Sequence, residues 1–138
     1  MRVVDLCTQE VEVIAPAAHV GEAARRMRKA SVGTVVVVDE IRRPLGILTD
    51  RDVATRVVGR ARSARNTPVS KAMSQPVAWV HAERSVEDAL AEMTRLRVRR
   101  LAVVDDAERL VGVLALDDIL CAVLDEDSPL RAALQANL

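Results

Sequence analysis

In the stretch Gly46-Ile47-Leu48-Thr49-Asp50-Arg51-Asp52, a hydroxyl and a carboxylate stand three residues apart at the end of an apolar run. Thr49 can donate to a phosphate or ribose oxygen. An ionised Asp52 is an acceptor only and can receive both hydroxyls of a ribose cis-diol. Each charge-assisted bond of this kind is worth about 1.5–3 kcal/mol. A strand ending at Leu48 and a helix beginning near Thr49 would add free backbone N–H groups and the positive end of a helix dipole, which suit a phosphate. The same Thr-x-x-Asp spacing is also a helix-capping arrangement, and the two uses are compatible. Gly46, Asp50 and Arg51 complete the candidate set.

The pattern returns 66 residues later as Gly112-Val113-Leu114-Ala115-Leu116-Asp117-Asp118. It keeps the glycine and Asp118 but has Ala115 in place of the hydroxyl, so two unequal sites are expected, with the one on Thr49 and Asp52 the better binder. Arg99 and Arg100 enter the strand that precedes this second motif, where the first copy has Gly33 and Thr34. Each of these arginines, like Arg51, also fits a solvated surface position. Trp79 falls on the position of Val13; it either packs in the core or flanks a ligand cleft.

These residues need a scaffold that ends a strand and starts a helix twice, and the chain supplies it by duplication. Val20, Ala23, Met27 and Val32 recur as Val86, Ala89, Met93 and Val98, and Val37-Val38-Asp39 recurs as Val103-Val104-Asp105. In the lead-in to each copy, Val3 and Cys7 fall on Val69 and Met73. Short apolar runs at 11–14 and 77–80 read as strands, each followed by apolar residues at helical spacing. Ser85, three residues ahead of Asp88, resembles a capping box for the second of these helices. The β-branched runs at 34–38 and 101–104 turn through polar stretches into 45–48 and 111–114 as β-hairpins. Closing helices are expected over about 50–58 and 117–124. Thr67-Pro68 reads as an N-cap with proline at the first helical position, starting a short helix to Met73.

The fold class is therefore α/β, in the α+β sense, with tandem β-α-β-β-α repeats. Residues 1–66 form the first repeat with its helical lead-in and 67–127 the second. A tail at 128–138 follows, in which Leu130, Leu134 and Leu138 share one helix face. One short sheet cannot cover both its faces, so the repeats are expected to pack sheet to sheet about a pseudo-two-fold axis, with two related clefts between them.

Composition narrows the function. Half of the 138 residues are hydrophobic and 29% charged, as in a folded domain, and twenty basic residues balance twenty acidic ones. Zero net charge argues against coating nucleic acid or anionic membrane. Two basic stretches exist, Arg56, Arg60, Arg62, Arg65 and Arg95, Arg97, Arg99, Arg100, but with no Tyr or Phe the one Trp, Trp79, is the single candidate platform for stacked bases. No apolar run suits a membrane span or a signal peptide, and Cys7 and Cys121 have no metal-ligand spacing, so a soluble cytoplasmic protein without a bound metal is expected. Phosphate-loop, dinucleotide, zinc-protease and nucleophile-elbow motifs are absent. His19 and His81 occupy non-equivalent positions without an evident acidic or nucleophilic partner and read as surface histidines. No catalysis is expected.

The doubled unit, with Val37-Val38-Asp39 before a turn and Gly46 through Asp52 after it, resembles the cystathionine β-synthase (CBS) domain pair, or Bateman module, over residues 3–124. The resemblance implies an adenosine-containing ligand, such as AMP, ADP, ATP or S-adenosylmethionine, in the cleft between paired repeats. It implies ligand-binding roles for Thr49, Asp52, Gly46, Asp50, Arg51 and Asp118, with Arg100 or Arg99 near a phosphate. It further implies a regulatory module with no required cofactor, acting as a homodimer on a partner protein. The alternative is a ligand-free CBS dimer serving as a protein-interaction or structural module.

Overall fold

A computed structural model describes residues 1–137. In chain order its elements are α1 (Val3–Leu6), β1 (Val13–Ile14), α2 (Val20–Ala30), β2 (Thr34–Val38), β3 (Pro44–Thr49), α3 (Asp50–Asp52), β4 (Trp79–His81), α4 (Val86–Leu96), β5 (Arg100–Val104), β6 (Leu110–Ala115), α5 (Leu116–Val123) and α6 (Pro129–Ala136). They form two compact units. One comprises Glu10–Val77 with Ala107–Leu110; the other comprises Met1–Gln9, Ala78–Asp106 and the chain from Val111 onward.

In the first unit the β-branched run becomes β2, the middle strand of a sheet in the order β1-β2-β3, parallel to β1 and antiparallel to β3. Val35, Val36 and Val37 are all buried, which is why this strand reads as a continuous apolar run without alternation. Helix α2 lays Val20, Ala23 and Met27 against the sheet at helical spacing. Burying each aliphatic side chain of this size contributes about 1.5–3 kcal/mol. His19, read from sequence as a surface histidine, is the N-cap of α2: its Nδ1 accepts the Glu22 N–H at 3.1 Å. Register then fixes the motif, because Thr34 pairs with Thr49 and Val35 with Leu48. Thr49 is thus the last residue of β3 and the cap of the helix that follows.

The second unit repeats the pattern with a sheet in the order β4-β5-β6 and α4 burying Val86, Ala89 and Met93. Ser85 Oγ accepts the Asp88 N–H at 3.0 Å, but the Asp88 carboxylate turns to Arg84, so only half of the expected capping box forms. Trp79 is 49% exposed on β4, edge-on to His81 at 6.5 Å, so the core reading of the tryptophan fails. The first position of a short edge strand leaves a large ring nothing to pack beneath. Helix α6 starts at Pro129, with Ser128 Oγ accepting the Arg131 N–H. Leu130 is exposed and Leu134 half-buried; Leu138 lies outside the described residues.

The lead-in segments are exchanged between the sequence repeats. Thr8, ahead of the first copy, exchanges two 2.9 Å backbone bonds with Val113 in β6. Ser74, ahead of the second copy, pairs in the same way with Ile47 in β3, at 2.9 and 3.2 Å. Val3 and Val69, equivalent by sequence, are both fully buried. The lead-in at 3–7, read with the first repeat from its sequence, therefore packs in the other unit. The expected helix after Pro68 is only a 3-10 turn, Val69–Lys71, with Pro68 extended. Tertiary pairing decides this: the Thr67 carbonyl accepts the Val20 N–H at 2.8 Å and the Val69 N–H reaches Ala18 O at 2.7 Å.

The closing helices also differ. Helix α5 is regular, but the expected helix over 50–58 is broken into α3, a π-helical turn Val53–Val57 and a 3-10 turn Val58–Arg60. The wide turn sends Val57 fully into the core while Val58 stays exposed. Arg56, inside it, reaches the Ala72 carbonyl.

Candidate functional site

The start of α3 is tied by two reciprocal bonds. Thr49 Oγ1 accepts the Asp52 N–H at 3.1 Å, and Asp52 Oδ2 accepts the Thr49 N–H at 2.9 Å. The capping reading is thus correct in detail, and it leaves chemistry over. The Thr49 hydroxyl proton is not used by the cap. The second carboxylate oxygen, Oδ1, faces Arg56 Nε at 3.6 Å, an ionic contact too long for a hydrogen bond. The Asp52 side chain is 13% exposed, so its free lone pairs sit in a partly dry position.

The other residues named from the first motif do not all converge. The Asp50 carboxylate lies over Gly33, where a Cβ would come within 2.9 Å of it, and accepts the Arg51 N–H. Arg51 points to solvent. Gly46 is buried for a packing reason: a Cβ there would meet Met73 Sδ at 2.6 Å and Ser74 O at 2.7 Å. The crossing of residues 73–74 over β3 demands a glycine whatever binds nearby.

At the second motif Asp118 Oδ2 accepts the Ala115 N–H at 3.1 Å, and Ala115 has no side-chain acceptor to return. The carboxylate has no basic partner among the described residues. Arg99, Arg100, Ala115, Leu116 and Asp117 line a small cleft of about 170 Å³ beside it, so the two strand-entry arginines do meet the second motif. Arg99 reaches Asp117 Oδ1 at 3.4 Å, whereas Arg100 is exposed. Gly112 mirrors Gly46, since a Cβ there would lie 2.4 Å from Thr8 O.

A roomier cleft of about 710 Å³ lies at the opposite end of the first sheet, around β1, Pro16 and the turn at 39–43. Three of its charged residues, Arg26, Asp39 and Arg43, are already engaged. Arg26 bonds Val13 O and Glu22, and Asp39 accepts the N–H groups of Ile41 and Arg43 and pairs with the Arg43 side chain. The backbone bond from Arg43 is the main reason that the Asp39 carboxyl is held below the usual carboxylate range. Cys7, half-buried with Sγ toward Val4 O, has its thiol pushed up, chiefly by burial. Both cysteines are free, and no group of three or more metal-type side chains gathers among the described residues.

Sequence reasoning missed the role of Arg56, which it placed in a basic stretch. Its i,i+4 spacing from Asp52 was the available signal.

The model for the CBS domain matches residues 3–59 and 69–125, and the chain belongs to the CBS-domain family. It is 36% identical over 124 residues to the CBS domain-containing protein YhcV of Bacillus subtilis, covering 90% of this chain and 86% of that one. It is 34% identical over 116 residues to an uncharacterized protein of Methanopyrus kandleri; the match takes in 84% of this chain and 59% of that protein's length. Among solved structures, the CBS domain pair of protein MJ0100, in complex with 5′-methylthioadenosine and S-adenosyl-L-methionine, superposes with a TM-score of 0.76 at 23% identity, over 87% of this chain and 93% of that one. The two three-stranded sheets with their helices are the CBS-pair architecture.

Proposed function

We propose that this protein is a non-catalytic regulatory module that binds an adenosine-containing ligand at the first motif. Thr49 donates to a phosphate or ribose oxygen, and Asp52 accepts from the ribose hydroxyls. The observation that carries the reading is the state of these two groups: the cap of α3 uses Thr49 Oγ1 as an acceptor and Asp52 Oδ2, which leaves the Thr49 hydroxyl proton and the Asp52 Oδ1 lone pairs available. The adenosine compounds held by the CBS pair of similar fold support the ligand class. At the second motif Asp118, Arg100 and Arg99 offer charge without a hydroxyl, which makes it the weaker site. With one aromatic residue in the chain, adenine is held by aliphatic walls and backbone groups.

The module acts in the cytoplasm as a homodimer that transmits occupancy to a partner protein. Helix α5 exposes Leu116, Leu120 and Val123 at i, i+4 and i+7, an apolar stripe suited to a second copy. Among the described residues no helix is long and apolar enough to cross a membrane.

Thermal unfolding with AMP, ADP, ATP, S-adenosylmethionine and NAD tests the ligand. At one hundred times its dissociation constant a ligand adds about 2.7 kcal/mol, a readily measured rise in midpoint. Calorimetric titration of Asp52→Ala and Asp118→Ala then ranks the sites. Asp52→Ala is expected to cost about 1.5–3 kcal/mol of binding and Asp118→Ala clearly less. Equal losses sink the ranking. If no adenosine compound moves the midpoint, the exposed α5 stripe favours the ligand-free interaction module instead.

A further inference from the structure

We propose that Arg56 is a positioning residue for Asp52 and the contact through which occupancy of the first motif reaches residues 72–74. The proposal rests on the adenosine-ligand reading of Thr49 and Asp52. The guanidinium makes three contacts. Nε faces Asp52 Oδ1 at 3.6 Å, while Nη1 donates to the Ala72 carbonyl at 2.9 Å and to Ser74 Oγ at 3.2 Å. Ala72 is fully buried, and Ser74 is the residue clasped to Ile47 by two backbone bonds. One cation therefore joins the carboxylate that would receive a ribose to the clasp that holds the second copy's lead-in on the first hairpin.

The strengths of these contacts set the direction of coupling. Two hydrogen bonds anchor the Nη1 end, and the ionic contact to Asp52 is the long one. It orients the carboxylate, with Thr49 N–H on the other oxygen, and leaves Oδ1 able to accept hydroxyl donors. A ribose bonded there draws on the same negative charge that Arg56 faces. Binding must then alter the pull on residues 72–74, and by linkage a shift of that segment must alter binding. The second copy has no such device: Ala122 stands four residues after Asp118, and Thr8 pairs with Val113 without an arginine.

The test is amide hydrogen exchange by NMR on the full chain: wild type, Asp52→Asn, Arg56→Gln and the double variant, with and without AMP. Asp52→Asn keeps an oxygen for the Thr49 N–H and removes only the charge. It is expected to speed exchange at Ile47 and Ser74 by about two- to fivefold, the scale of a partly exposed ion pair, and to do nothing further once Arg56→Gln is present. The amides of Thr8 and Val113 are the internal control and should not respond. AMP is expected to shift the exchange of Ile47 and Ser74 in wild type and not in Arg56→Gln. Additive effects of the two substitutions, or AMP binding that leaves both amides unmoved, overturn the role of Arg56. Failure of wild type to bind AMP, or any other adenosine compound, overturns the ligand reading and with it the ligand half of the proposal. The ligand-free cycle still decides the Asp52–Arg56 coupling.

Discussion

At the first motif the Asp52 carboxylate lies between the Thr49 N–H and the Arg56 guanidinium; at the second, Asp118 keeps the bond to the Ala115 N–H and has Ala122 where an arginine would stand. Both strands nevertheless turn into helices at the same place, so the acid three residues into the turn suffices to hold the backbone. The hydroxyl and the arginine of the first copy exceed what folding needs. The cations of the second copy stand instead on the strand side, as Arg99 and Arg100, where the first copy has Gly33 and Thr34. Duplication has preserved the capping geometry and let the chemistry on either side of it diverge.

The glycines put the shared part of the comparison under the largest strain. Gly46→Ala and Gly112→Ala should each lower stability by about 1–3 kcal/mol in urea unfolding, because the added Cβ runs into a crossing lead-in. Gly112→Ala should be the worse: its nearest obstacle is the Thr8 carbonyl at 2.4 Å, whereas Gly46 first meets the flexible Met73 side chain. Two neutral substitutions would show that the lead-ins do not clasp the hairpins.

The caps come next. Thr49→Ala should cost about 1 kcal/mol and Ala115→Thr should recover a similar amount, read as opposite shifts in unfolding midpoint. Unfolding that moves the same way for both would break the equivalence of the two helix starts.

The smallest effect is expected at Asp39, in the turn of the first hairpin. Its folded pKa is depressed, so its contribution is present at neutral pH and is lost as pH falls through the lowered folded value. The gap between wild type and Asp39→Asn in midpoint should therefore be small at pH 7 and close in acid. A gap that widens in acid would refute the assignment.

Much of this was legible from residue types. The run Thr34-Val35-Val36-Val37-Val38 reads as a β-branched strand, and Thr49-x-x-Asp52 suits a helix start whether or not it also binds a ligand, so the sheet, the hairpins and the motif followed. What did not follow depends on which segment meets which. The repeat shows that Val3 matches Val69, but either lead-in could dock on either hairpin, and no local preference chooses between them. Arg56 is four residues from Asp52, yet Arg26 from Glu22 and Arg84 from Asp88 show the same separation in ordinary surface pairs. Only the bonds to Ala72 and Ser74 set Arg56 apart, and those come from a segment sixteen or more residues on. His19 was passed over because histidine is a less common helix cap than serine or aspartate.

The exchanged lead-ins constrain the order of assembly. Thr8 is synthesised 105 residues ahead of Val113, its partner in β6, and has to wait for that strand. Until then the segment around Val3 has no core to enter, and the first hairpin waits for Ser74 in the same way. Contacts of such long sequence separation are slow to close, so the protein should fold late and as a pair of halves that finish each other, and a fragment ending before β6 should leave its own beginning loose.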